Sequence, residues 1–459
     1  MTKKLAGLLA LFMLMAMLAA CGGNGANKPT NEGTTPSTTA PADDKKQPSG
    51  EKKVIKMLGW KQSTNNTVIE SINKKFEEKY PEYKVEYVTT APDDEYKQAY
   101  KTRVPAGEVD IFADLSAMRL SPSDWTPGAK VPDWQQFIDN GLIQDLSDQA
   151  FIKNYNESDI KDGGTYQDKV YAIPAGKVAM GGLFYNKDIF AKYDLKVPTT
   201  WSEFINVNEV LIQNNVTPIA MAGKDKWPVK LAAMNLQAQL LAGGNQSQFI
   251  EGLWKGTSKF NDPDAVEVLE KMKTIQDKYT INGFMGIDYG TLTSYFTGEK
   301  VAMMVNGVWE AGAVQAAKPD MNFGYFPLPA TDDPAKIKLI GKYDMTWYVT
   351  SNGGNTEGAI KWLEFFSQPE IYQEFVQATG FLPVQPNIAT TEFLDAEVQP
   401  YMNNFEVAYE IKMINRENIG QHLEAEGIHT EYLAPGGEFK TAKELADVQQ
   451  KEWEAAAPK

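Results

Sequence analysis

Between Phe296 and Glu310 the chain reads FTGEKVAMMVNGVWE. Gly298 and Glu299 form a turn, residues 301–305 are an unbroken apolar run, and Asn306, Gly307 and Trp309 follow. A short apolar run closed by Asn-Gly predicts a buried strand that ends at a tight turn. A strand end is rigid, so Trp309 would be held in one place, where its ring could lie against a ligand. A core or helix-anchoring tryptophan fits the same pattern.

Upstream, residues 54–58 are an apolar strand candidate that ends at Trp60, Lys61 and Gln62. Ile69, Ile72, Phe76 and Tyr80 then recur at spacings of three and four, which predicts a helix stopped by Pro81. Residues 85–88 predict a second strand. Pro92, Asp93 and Asp94 open a second helix with Tyr96, Ala99, Tyr100 and Arg103 on one face. Residues 109–113 predict a third strand, ending at Asp114. Strand–helix–strand–helix–strand predicts an α/β fold, with a mostly parallel sheet covered by helices. Ligands of such sheets bind beyond the carboxyl ends of the strands. Trp60, Gln62 and Asp114 stand at those ends, although a helix cap or turn would also use Asp114.

Further along, residues 170–173 read as extended and Pro174 as their end. A new apolar segment begins at Met180. Thr200 and Glu203 fit a capping box, and residues 218–222 a strand. Trp227-Pro228 and Asp262-Pro263 each open a helix. Residues 324–329 and 339–350 are further extended stretches, and 357–375 is an amphipathic helix pair broken at Pro369. There is no tandem repeat.

The 459 residues include 60 acidic and 45 basic side chains, a formal net charge of -15. That balance argues against nucleic acid or anionic lipid as the main partner. Lys3 and Lys4, the apolar run 5–17 and the small residues before Cys21 read as a secretory signal peptide over residues 1–20. Its apolar run is too short for a comfortable membrane span. Cys21 is the one cysteine, so no intramolecular disulfide can form. Residues 21–51 are rich in small polar residues, Gly and Pro, and predict a disordered tether reaching about 30 Å.

His422 and His429 are the two histidines of the chain. It has no HExxH, no paired Cys ligands and no nucleophile elbow, so no metal, cofactor or hydrolase triad is expected. A glycosidase needs only two carboxylates, and 60 acids supply chance pairs.

Three stretches carry a family resemblance. Phe296–Glu310, with its Gly-Glu-Lys turn, Ala302-Met303 and Asn306-Gly307-x-Trp309, is one. Tyr171-Ala172-Ile173-Pro174 followed by Tyr185-Asn186-Lys187-Asp188 is the second, and Thr379-Gly380-x-Leu382-Pro383-Val384 the third. Together they resemble bacterial extracellular solute-binding proteins of the carbohydrate-uptake class of ABC transporters, the group of the maltose-binding protein. The resemblance covers most of residues 53–386. Leu18-Ala19-Ala20-Cys21 resembles a bacterial lipobox, which would make Cys21 the lipidated first residue.

The resemblance implies a two-lobed fold of the periplasmic-binding-protein type, with chain crossovers as hinges. Lobe 1 would be 52–171 with 347–385, and lobe 2 would be 172–346 with 386–459. It implies Trp309 as a sugar-stacking residue and Trp227 as a second candidate, and it places Lys177 in a spacer that often contacts ligand. The second crossing usually has a Gly-rich bend. Here Asp344 and Met345 stand in it, which adds Asp344 and Trp347 as candidates. The implied partners are a carbohydrate, ABC permease subunits and the membrane through a lipid anchor only, for a monomeric non-enzyme on the extracellular face. Acids and aromatics would also suit a non-sugar solute such as a polyamine.

Overall fold

The computed structural model describes residues 51–91, 94–114, 120–423 and 429–458. Cys21, the signal and all of the tether but Glu51 lie outside them, as do Pro92 and Asp93.

The predicted opening strands are β1 (Lys53–Trp60), β2 (Tyr83–Thr90) and β3 (Ile111–Asp114). Helix Ser63–Lys79 joins the first pair, and it buries Ile69, Ile72 and Phe76. Helix Asp94–Arg103 follows β2 and buries Tyr96 and Tyr100. β2 and β3 both pair parallel with β1, in the order β2-β1-β3. A two-residue hairpin, β4 (Thr165–Tyr166) with β5 (Lys169–Val170), precedes the long strand β6 (Ala172–Met180).

β6 corrects the reading at Pro174. The strand runs through the proline, which sits opposite Thr346 of β11 (Leu339–Val349). Among the described residues, β11 is the one strand that pairs with β6. An edge strand accepts proline where its missing N–H would face away from the partner.

A second sheet has the order β10-β7-β9-β8. It comprises β7 (Gly182–Asn186), β8 (Ile219–Ala220), β9 (Met303–Asn306) and β10 (Phe323–Pro327). Strand β9 is the apolar run before Trp309. The first sheet continues β2-β1-β3-β11, and β12 (Phe405–Val407) pairs with the beginning of β11.

Both sheets are mixed rather than mostly parallel. β11 meets β3 and β6 antiparallel, and β7 meets β9 and β10 antiparallel. In the first sheet this follows from β6 and β11, which run beside each other in opposite directions.

Within β11, where Met345 stands in place of the glycine that the resemblance would put there, that residue takes φ +48°. A residue with a side chain loses on the order of 1 kcal/mol there. Met345 is held by burial and by the Asn65 amide, which donates to its sulfur at 3.1 Å.

The helix pair is broken where Pro369 predicts, into Thr356–Phe366 and Pro369–Thr379. At the Thr200 cap the predicted box is half formed. Thr200 Oγ1 accepts from the Glu203 N–H, but the Glu203 carboxylate turns to the Thr199 N–H at 2.8 Å. No helix among the described residues is long and apolar enough to cross a membrane.

Candidate functional site

The local sequence around Trp309 folds as its pattern requires. β9 ends at Asn306, whose Oδ1 accepts the Gly307 N–H at 2.9 Å. A 3-10 turn, Val308–Glu310, leads into helix Ala311–Ala317. The indole lies over Gly307 so closely that a Cβ there would sit 2.1 Å from the ring. Only glycine allows that approach. Trp309 is left 8% exposed, and its Nε1–H donates to the Tyr289 hydroxyl at 2.7 Å.

Tyr289 opens helix Tyr289–Thr297, and its ring centroid is 4.6 Å from that of Trp227. Trp227 begins helix Trp227–Leu240 and remains partly exposed. The Asp225 carboxylate, in the turn just before it, accepts the Tyr289 N–H at 2.6 Å. Trp227, Tyr289 and Trp309 thus form one aromatic row on the second sheet's side.

The first sheet brings its own group. Trp60 is buried at the end of β1, edge-on to Tyr96 at 5.4 Å. The Gln62 side chain accepts from the Asn65 amide at 2.9 Å in the first turn of helix Ser63–Lys79. Helix Ala311–Ala317, which follows Trp309, packs on helix Ser63–Lys79, where a Cβ added at Gly312 would lie 3.7 Å from Thr64, and turn Val308–Glu310 packs on β6. The two groups are therefore neighbours.

Asp114 ends β3 directly opposite Thr346, so the two share a face of the sheet. Asp344 lies near them, its Oδ1 accepting the Met345 N–H at 2.9 Å. Burial pushes the Asp344 carboxyl up to about 6. Lys342 and the Met345 N–H oppose that shift, and the Glu410 and Asp114 charges add to it. Glu410 is itself 3.5 Å from the Lys342 ammonium.

Two predicted site residues are placed elsewhere. Trp347 is 0% exposed, between Ala113 and Ile173 in the sheet and packed on Trp362 and Phe366. Strand alternation turns it to the helix side, away from Thr346 and Asp114. Lys177 pairs with Asp159 at 3.0 Å, and Tyr343 donates to the same carboxylate oxygen at 2.9 Å. Lys177 faces Tyr343 across the β6–β11 ladder, one residue out of phase with Asp344. Its charge serves that buried carboxylate.

The structure adds residues that the pattern did not single out. The buried atoms without a hydrogen-bond partner among the described residues are spread through the fold and include Trp347 Nε1; three of them are Asn65 Oδ1, Asn306 Nδ2 and Thr346 Oγ1. A buried orphan of this kind costs about 1–3 kcal/mol unless something satisfies it. All three stand beside the candidate residues already described, and ligand hydroxyls would satisfy both donors and acceptors. Tyr289 is a fourth addition. No group of three or more metal-ligating side chains occurs among the described residues.

Residues 71–403 match the family described as bacterial extracellular solute-binding protein. A multiple sugar-binding protein of Streptococcus mutans is 23% identical over 342 residues, covering 73% of this chain and 76% of that protein. The melibiose/raffinose/stachyose-binding protein MelE of Bacillus subtilis is 23% identical over 384 residues, covering 78% and 83%. A sugar transporter structure from Bacillus licheniformis, in complex with stachyose, superposes with a TM-score of 0.71 at 20% identity. That superposition covers 88% of this chain and 100% of the other. The family match spans most of the folded chain, and this protein belongs to the bacterial extracellular solute-binding proteins.

Proposed function

We propose that this solute-binding protein captures a carbohydrate, in particular an oligosaccharide, between its two lobes and delivers it to an ABC permease. The observation that carries the reading is the aromatic row Trp227–Tyr289–Trp309 set beside buried carboxylates and orphaned amides. Sugar recognition needs flat apolar faces for C–H surfaces and fixed polar groups for hydroxyls. Asp114 and Asp344 would accept ligand hydroxyls in charge-assisted bonds. The relatives named for multiple sugars and for melibiose/raffinose/stachyose point the same way.

Lobe 1 would be 52–171 with 347–385, and lobe 2 would be 172–346 with 386–459. Ligand touching both would favour the closed arrangement by its differential affinity for it. Cys21 would carry the lipid that holds this monomeric receptor at the extracellular face, with residues 22–51 as tether. Capture leaves the sugar intact in this reading, without metal, cofactor or turnover.

A second reading, a polyamine or similar cation, is favoured by one observation: Asp114 and Asp344 are both buried and within electrostatic reach of each other. A melting screen decides between them. Raffinose, stachyose or another oligosaccharide should raise the melting temperature and be recovered uncut. A rise with spermidine alone would favour the cation. Cleaved sugar, lost on changing one carboxylate, would identify an enzyme.

A further inference from the structure

We infer that Tyr289 is a positioning residue: its hydroxyl, fixed between the Trp309 indole N–H and the Glu310 carboxylate, holds the Trp309 ring for ligand stacking. The inference rests on the sugar-receptor reading.

The hydroxyl accepts from Trp309 Nε1 at 2.7 Å and donates to Glu310 Oε2 at 2.9 Å. The other Glu310 oxygen accepts from Thr293 Oγ1 at 2.5 Å. Both oxygens of Glu310 are thus engaged by the protein, so it anchors the relay. The relay runs Trp309, Tyr289, Glu310, Thr293, and it links the turn after β9 to helix Tyr289–Thr297.

Two features suit the phenol to this place. Burial, and next the Glu310 charge, hold the Tyr289 pKa well above its ordinary value, so the hydroxyl keeps its proton and its donor role. The same residue lies against Trp227 and is tied through its N–H to Asp225, in the turn that launches the Trp227 helix. One side chain therefore sets the relation between both candidate stacking rings. A ring immobilised in advance loses no rotamer freedom when ligand arrives, and that is how preorganisation raises affinity. A tyrosine present only for packing would need its ring and not this hydroxyl.

Tyr289→Phe keeps the ring and removes the hydroxyl. The first readout needs no ligand. With 5-fluorotryptophan label, the Trp309 fluorine resonance, assigned by Trp309→Phe, should shift or split in Tyr289→Phe, and the Trp347 resonance should stay in place. The second readout is stachyose titration of the full folded chain, in which Tyr289→Phe should weaken binding about tenfold. Glu310→Gln, which retains an acceptor for the hydroxyl, should lie between wild type and Glu310→Ala. An unchanged Trp309 resonance in Tyr289→Phe overturns the inference. So does an altered resonance with unaltered stachyose affinity. If the wild-type protein binds no oligosaccharide, the receptor reading falls and this inference with it. If wild type binds and Tyr289→Phe binds equally well, this inference alone falls.

Discussion

Trp347 meets Trp362 edge to face, with ring centroids 5.2 Å apart and both side chains fully buried. The contact ties the crossing strand β11 to helix Thr356–Phe366, and Trp362 is anchored in turn by donating to Asn73 at 2.7 Å. Trp347 therefore packs between the sheet and its covering helices. Truncating a buried tryptophan costs about 3–5 kcal/mol. Trp347→Ala should lower chemical-denaturation stability by that amount. Trp347→Phe should lose much less and bind ligand like wild type, as titration of the folded variant would measure.

Lys177 makes a contrasting case. Its partner Asp159 is the more deeply buried of the two, and Asn156 and Tyr343 also donate to that carboxylate. Lys177→Met removes the cation and leaves the carboxylate partly compensated. Stability should fall by about 1–3 kcal/mol. Ligand affinity should stay within about twofold of wild type, because Lys177 faces away from Asp344. A large affinity loss in a well-folded Lys177→Met would return the lysine to the site.

Asp344 should leave a signature in pH dependence. Its carboxyl is raised by burial from 3.8 to about 6, so between those values the folded protein holds a proton that the unfolded chain has released. Stability from this group therefore falls as pH rises from about 4 to about 6, by up to about 3 kcal/mol. Asp344→Asn keeps a carbonyl for the Met345 N–H and removes the titration. The variant should gain on wild type in melting temperature between pH 4 and pH 7. It should bind sugar more weakly at pH 7, where the wild-type side chain is a carboxylate. A pH-independent difference between the two proteins would contradict this.

His422 should show the opposite slope. Burial disfavours its charge, but the carboxylates of Glu452 at 2.6 Å and Glu438 at 3.3 Å outweigh it and raise its pKa above 6.5. A raised histidine stabilises the fold fully below its unfolded pKa and loses that contribution as pH rises through the folded one. Comparing wild type with His422→Gln by melting should give a gap that is widest near pH 5.5 and narrows by pH 9.

Much of the frame was legible because strand and helix periodicities differ. Ile69, Ile72 and Phe76 marked one helix, and the run before Asn306 marked β9. The side that Trp347 takes was not legible because both faces of β11 are buried. Its sequence therefore lacks the polar alternation that tells the sheet side toward Asp114 from the helix side. Pro174 misled because the cost of a strand proline depends on which side the neighbour lies, and that is a tertiary fact. Tyr289 and Asn65 were missed for a related reason: each is an ordinary first-turn helix residue. Their roles arise only when distant segments bring Trp309 and Met345 to them.

The measurement that tests the central reading most directly is calorimetric titration of the folded protein with stachyose and raffinose, alongside Trp227→Ala. Trp227 is partly exposed and packs on Tyr289, so its removal should spare the melting temperature. Wild type should show saturable one-to-one binding of at least one of these sugars. Trp227→Ala should lose about 1–3 kcal/mol of affinity, as for other stacked aromatic anchors. Absence of binding by either sugar to a folded wild-type protein that does bind spermidine would contradict the sugar reading.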